Sequence, residues 1–120
     1  MVHPVMKPAM KCVSLKQDMP LVQEALSRLD RELAIARSEG YGLVKLIHGY
    51  GSTGVGGEIR VAVQKRLREM SDRGQIRTCI FGEDWAKSDE RTWKLLGAHP
   101  DLKQDHDLGR KNLGITVVVL

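Results

Sequence analysis

Leu43-Val44-Lys45-Leu46-Ile47-His48-Gly49-Tyr50-Gly51-Ser52-Thr53-Gly54-Val55-Gly56-Gly57 is the stretch on which the fold turns. Its first five residues form a short apolar run, rich in branched side chains and bounded by glycines, which predicts a buried strand ending at His48. From His48 to Gly57 there are five glycines in ten residues. Beyond them Ile59, Val63, Leu67 and Met70 recur at helical spacing, while Arg60, Gln64 and Arg68 make a parallel polar row. Gly74 is placed to end that helix. A strand, a glycine-rich connection and a helix in immediate succession are the start of an α/β unit.

Working outward, Cys12, Val13 and Leu15 mark a first strand between Lys11 and Lys16. Asp18 is expected to cap the next helix, with Pro20 near its first turn. Val22, Leu26, Leu29, Leu33 and Ala36 form that helix's apolar stripe, and Gly40 stops it. Gln75 to Phe81 reads as a third strand and Ile115 to Leu120 as a fourth. Between them, residues 83–113 form an insertion, with Ser88 capping a short helix through Leu96 and a polar stretch from Pro100 to Gly114. The expected fold is therefore an α/β two-layer sandwich with a βαβαββ core and a helical insertion before the last strand. Residues 1–10 are a flexible lead-in and 11–120 a single domain, the size that buries one core.

The longest apolar runs fall far short of the ~18 residues that cross a bilayer. The first ten residues, with Pro4 and Pro8, do not resemble a secretory signal, so a cytoplasmic location is expected. Cys12 and Cys79 both lie in apolar strand runs and are expected to be buried hydrophobes, not a disulfide. Net charge is +4, and residues 40–82 carry the excess, with 7 basic against 3 acidic side chains. Localised positive charge favours a polyanionic partner; a solubilising helix face would look the same.

A loop of this composition brings backbone N–H groups close to an anion, because no Cβ intervenes and the following helix presents its positive end. Phosphate is the expected ligand of Gly49, Tyr50, Gly51, Ser52, Thr53, Gly54, Gly56 and Gly57, with Arg60 one turn into the helix. The plainer alternative is a connection that merely needs positive φ values. A Walker site is excluded, since Gly57 is followed by Glu58 and Ile59 instead of lysine and a hydroxyl residue. Gly49-x-Gly51-x-x-Gly54 matches the spacing of a dinucleotide fingerprint, but the helix starts too late and no acid stands ~20 residues on at a strand end.

Leu46-Ile47-His48-Gly49-Tyr50-Gly51 resembles the His-Gly-x-Gly motif of the Smr (small MutS-related) domain family, and the order of elements from Cys12 to Leu120 is similar. The resemblance implies the fold of the C-terminal part of bacterial translation initiation factor three and binding to DNA or RNA. In many members it also implies metal-assisted nicking by an endonuclease centre. The family's other motif, Leu-Asp-x-His at the end of the first strand, would fall at Val13-Ser14-Leu15-Lys16-Gln17, where both the acid and the histidine are missing. His48 is then the one catalytic candidate, as a general acid or phosphate donor; it could equally pin the loop by bonding a backbone carbonyl. Lys16, Lys45, Arg60 and Arg68 are the expected phosphate-binding cations.

A nuclease reading calls for Mg²⁺ or Mn²⁺, and Glu83, Asp84, Asp105 and Asp107 are the candidate ligands; capping turns and pairing with nearby lysines and arginines is the plainer role. Trp85 and Trp93 are expected to stack on an unpaired base or to anchor the insertion. Two other functions fit the same loop: a small-molecule nucleotide or phosphate site, and a protein-interaction module.

Overall fold

The computed structural model describes residues 8–18, 21–50 and 55–120. It is an α/β fold with a four-stranded mixed sheet and three helices, in the order β1 (Met10–Ser14), α1 (Val22–Ser38), β2 (Leu43–Ile47), α2 (Val55–Asp72), β3 (Thr78–Phe81), α3 (Glu90–Ala98) and β4 (Ile115–Val119). Short 3₁₀ turns at Gly82–Asp84 and Pro100–Gln104 flank α3. The strands lie in the order β1-β2-β4-β3; β1 pairs parallel with β2, and β4 runs antiparallel to both its neighbours. β1, β2 and β3 therefore point the same way.

Alternation along each strand divides the core. Val13, Val44, Leu46, Cys79 and Val118 face α1 and α2, meeting Leu29, Leu33, Ile59, Val63 and Leu67. Met10, Leu43, Ile80, Ile115 and Val117 face the other way, onto Trp85, Leu96 and Leu102. The insertion thus covers the second face of the sheet, giving three layers where the sequence predicts two. Its cohesion comes from single large side chains and not from helical periodicity, which is why no pattern reveals it. Trp85 takes the anchoring role, fully buried with its indole N–H donating to Asp105 at 2.9 Å.

Three local expectations are corrected. Asp18 has φ +65° and does not cap α1, whose N-cap is Leu21 without a side-chain bond; Pro20 lies outside the described residues. Asp89, not Ser88, caps α3, its carboxylate accepting from the Thr92 amide at 3.0 Å. Cys12 is exposed on edge strand β1, whereas Cys79 is buried. Gly40 ends α1 at φ +85°, as its position predicts. No helix among the described residues is long and apolar enough to cross a membrane.

Candidate functional site

Since β1, β2 and β3 share a direction, their carboxyl ends emerge together at one end of the sheet, with the start of β4 between them. Open α/β sheets place ligands at that end. Lys16, His48 to Tyr50, the first turns of α2, and Gly82-Glu83 gather there.

His48 continues the Val44, Leu46 alternation, which puts its side chain on the face of the sheet that α1 and α2 cover, and it is fully buried. Its Nδ1 lies 2.7 Å from the Gly49 carbonyl and its Nε2 2.9 Å from Thr116 Oγ1. A carbonyl can only accept, so Nδ1 carries the proton and Nε2 accepts from the threonine hydroxyl. Burial pushes the imidazole below its ordinary range, and Arg60 adds to this against the hydrogen bond to Gly49, which works the other way. Both ring nitrogens are engaged inside the protein, so the structure places His48 in the loop-pinning arrangement and not facing a ligand.

The same is true of the first loop amides. The N–H groups of His48 and Gly49 both donate to the Gly114 carbonyl, at 2.9 and 3.1 Å. Gly49 has φ +76°, a left-handed conformation that only glycine adopts without strain. Tyr50 projects outward, 58% exposed. Gly114 is held small, because a Cβ there would come within 3.3 Å of Gly49 Cα and Tyr50. Gly51, Ser52, Thr53 and Gly54 lie outside the described residues, and Gly56 and Gly57 fall in the first turn of α2.

The four expected cations separate. Lys16 is exposed, and its stem lies beside Gly49, 3.7 Å from where a Cβ would stand. Arg68 is exposed with its guanidinium 4.9 Å above the Phe81 ring, a cation–π contact. Arg60 is half-buried and donates to Glu83 Oε1 at 3.3 Å. Lys45, by contrast, lies on the opposite face of the sheet and is buried, bonded to Asp105 at 2.9 Å and to Asp107. Burial works to strip its proton, but the bonds to Asp107 and Asp105 outweigh it and lift its pKa above the ordinary range. Lys45 is therefore a structural cation and is not presented to phosphate.

Each candidate metal acid is engaged by a cation. Asp105 and Asp107 hold Lys45, Glu83 pairs with Arg60, and Asp84 lies 3.6 Å from Arg91. They are spread over both faces of the sheet, and among the described residues no group of His, Cys, Asp or Glu side chains converges to hold a metal. Trp93 is 62% exposed on α3.

Three residues of this end were not singled out as site residues from the sequence. Thr116 was signalled by being the one polar side chain in Ile115-Thr116-Val117-Val118-Val119. Gln64 stands between Arg60 and Arg68 on the polar row, yet it is buried and its Nε2 has no hydrogen-bond partner among the described residues. Asn112 clamps the region through its side chain, accepting from the Gly114 amide and donating to Asp107, both at 2.9 Å. The chain finds no match among family models, curated proteins or solved structures.

Proposed function

We propose that this chain is a nucleic-acid-binding domain of the Smr type, gripping DNA or RNA at the end of the sheet where β1, β2 and β3 finish. The observation that carries the reading is convergence. Lys16 after β1, Gly49 and Tyr50 after β2, and the positive start of α2 with Arg60 occupy one end of the sheet, and Arg68, further along α2, reaches Phe81 at the end of β3. Lys16 and Arg68 are exposed there as cations for backbone phosphates, and Tyr50 as a ring for stacking on a base. The element order, with an insertion between the last two strands, supports the βαβαββ arrangement of the translation-initiation-factor type that the resemblance implies.

Binding is the activity proposed, without nicking. The residues at the first-strand position lack the family's acid and histidine, and the His48 nitrogens are already committed to Gly49 and Thr116. The test is a titration of labelled single- and double-stranded DNA and RNA from about 50 to 200 mM salt, over which phosphate contacts lose affinity steeply. We expect log K to fall linearly with log salt, and Lys16→Ala to reduce the slope by about one. Absence of binding to every oligonucleotide at the lowest salt would remove the proposal. Thermal stabilisation by a mononucleotide alone would favour the small-ligand alternative.

A further inference from the structure

We propose that Arg60, Gln64 and Glu83 form a subsite for the Watson–Crick edge of an unpaired pyrimidine base, a specificity that rests on the nucleic-acid-binding reading above. Buried polar groups are nearly always hydrogen-bonded, so unpaired ones call for an explanation. Among the described residues the buried side-chain atoms without a partner are Arg60 Nε, Gln64 Nε2 and Glu83 Oε2. They do not lie scattered. Arg60 and Gln64 are one turn apart on α2, on one face of the helix, and the bond from Arg60 Nη2 to Glu83 Oε1 at 3.3 Å fixes the third residue beside them. Gln64 is 7% exposed. The residue after His48 begins the loop into this helix, so the three atoms belong to the end of the sheet already described.

What remains unpaired is two donors and one acceptor, and the chemistry of that set is selective. A phosphate would meet the Glu83 carboxylate as a like charge, and a cation would meet Arg60. A neutral group with two acceptors and one donor completes the set. Uracil and thymine offer two carbonyl oxygens and an imide N–H; cytosine offers a carbonyl, a ring nitrogen and an amino group. Guanine offers the reverse, one acceptor and two donors, and adenine offers one of each, leaving a buried donor unpaired. Backbone contacts from Lys16 and Arg68 would then position a strand, while this set reads one base of it.

The test compares labelled oligo(dT), oligo(dC) and oligo(dA) of about twelve nucleotides, a length within the usual range of single-strand sites, at one salt concentration. The protein is the full chain and its Gln64→Leu and Glu83→Ala variants. Oligo(dT) or oligo(dC), whichever edge has its acceptors and donor in the order that matches the set, is expected to bind about tenfold more tightly than oligo(dA), the discrimination of one well-aligned set of base-edge bonds. Pyrimidine strands also gain from their flexibility, so the variants decide. Each should bring the preference below about twofold; Gln64→Leu, which alters no charge, should leave the salt slope unchanged, whereas Glu83→Ala frees the Arg60 guanidinium from its ion pair and should leave the slope unchanged or steeper. A preference retained in both variants, or absent in the parent, overturns the subsite and leaves nucleic-acid binding standing. Failure of every strand to bind removes both. If either variant melts as an unfolded chain, the other carries the comparison.

Discussion

Two polar networks lie on opposite faces of one sheet, and they are built on opposite terms. Under the insertion, Lys45, Asp105, Asp107, Trp85 and Asn112 close on one another, and none of their buried side-chain nitrogen and oxygen atoms is without a partner. Beside α2, Arg60, Gln64 and Glu83 share one ion pair and leave three buried atoms unpaired. A network that satisfies itself is a fastening; one that does not carries an uncompensated desolvation cost. Burial alone does not distinguish them, since both contain deeply buried side chains. The accounting of donors and acceptors does.

The closed network should be the more costly to cut. In Lys45→Met the ammonium is lost while Asp105 and Asp107 stay at 12% and 9% exposure, two carboxylates without their cation. Breaking a buried pair in this way costs about 3–5 kcal/mol. Urea unfolding of the variant is expected to show a loss in that range, with part recovered when Asp107→Asn is added and one stranded charge is removed. A loss under about 1 kcal/mol would mean that the pair is solvated and the fastening idle.

pH separates the two regions next. Burial opposes the Asp107 charge, but the bonds from Lys45 and Asn112 outweigh it and hold the carboxyl below its usual range. A depressed carboxylate contributes its stability above the unfolded value of about 4, and that stability is lost as pH falls through the folded value. His48 acts in an earlier window. Its folded pKa is also depressed, so from about pH 6.5 downward the unfolded chain takes up a proton that the buried ring refuses, and stability declines. Stability measured against pH should therefore fall in two steps. The upper step should vanish in His48→Gln and the lower one should shrink in Asp107→Asn. A flat profile between about pH 6.5 and 4.5 would mean that His48 protonates as easily in the fold as outside it.

The open region was partly legible in the sequence and the closed one was not. β2 was predicted with the bounds it has, because an apolar run between glycines admits few readings, and the Arg60, Gln64, Arg68 row follows from the helical period. Lys45 is the opposite case. A lysine inside a buried strand next to a glycine loop invites a phosphate reading, and the carboxylate that claims it lies 60 residues on, in a stretch with no period. The role of His48 hangs on a partner 68 residues away. Local pattern shows which side chains share a face; it does not show which distant side chain meets them there. The insertion's cover over the second face was hidden for the same reason, since Trp85, Leu96 and Leu102 share no repeat.

The smallest expected effect is the one that most directly tests the contrast, because it has the opposite sign. Gln64→Leu removes a buried amide nitrogen that donates to nothing among the described residues and puts a side chain of similar volume beside Val63 and Leu67. Where a buried donor is unsatisfied, its desolvation is a standing cost of about 1–3 kcal/mol, and an apolar residue of the same shape does not carry it. Some of that gain is offset by imperfect packing, so a net increase of about 1 kcal/mol is expected, or a Tm higher by about 3–6 °C for a chain of this size. The Lys45→Met loss and the Gln64→Leu gain, measured in one buffer, then give the two networks opposite signs. If Gln64→Leu instead costs as much as Lys45→Met, the glutamine is bonded in solution, the second network is as closed as the first, and its atoms are not held for a ligand.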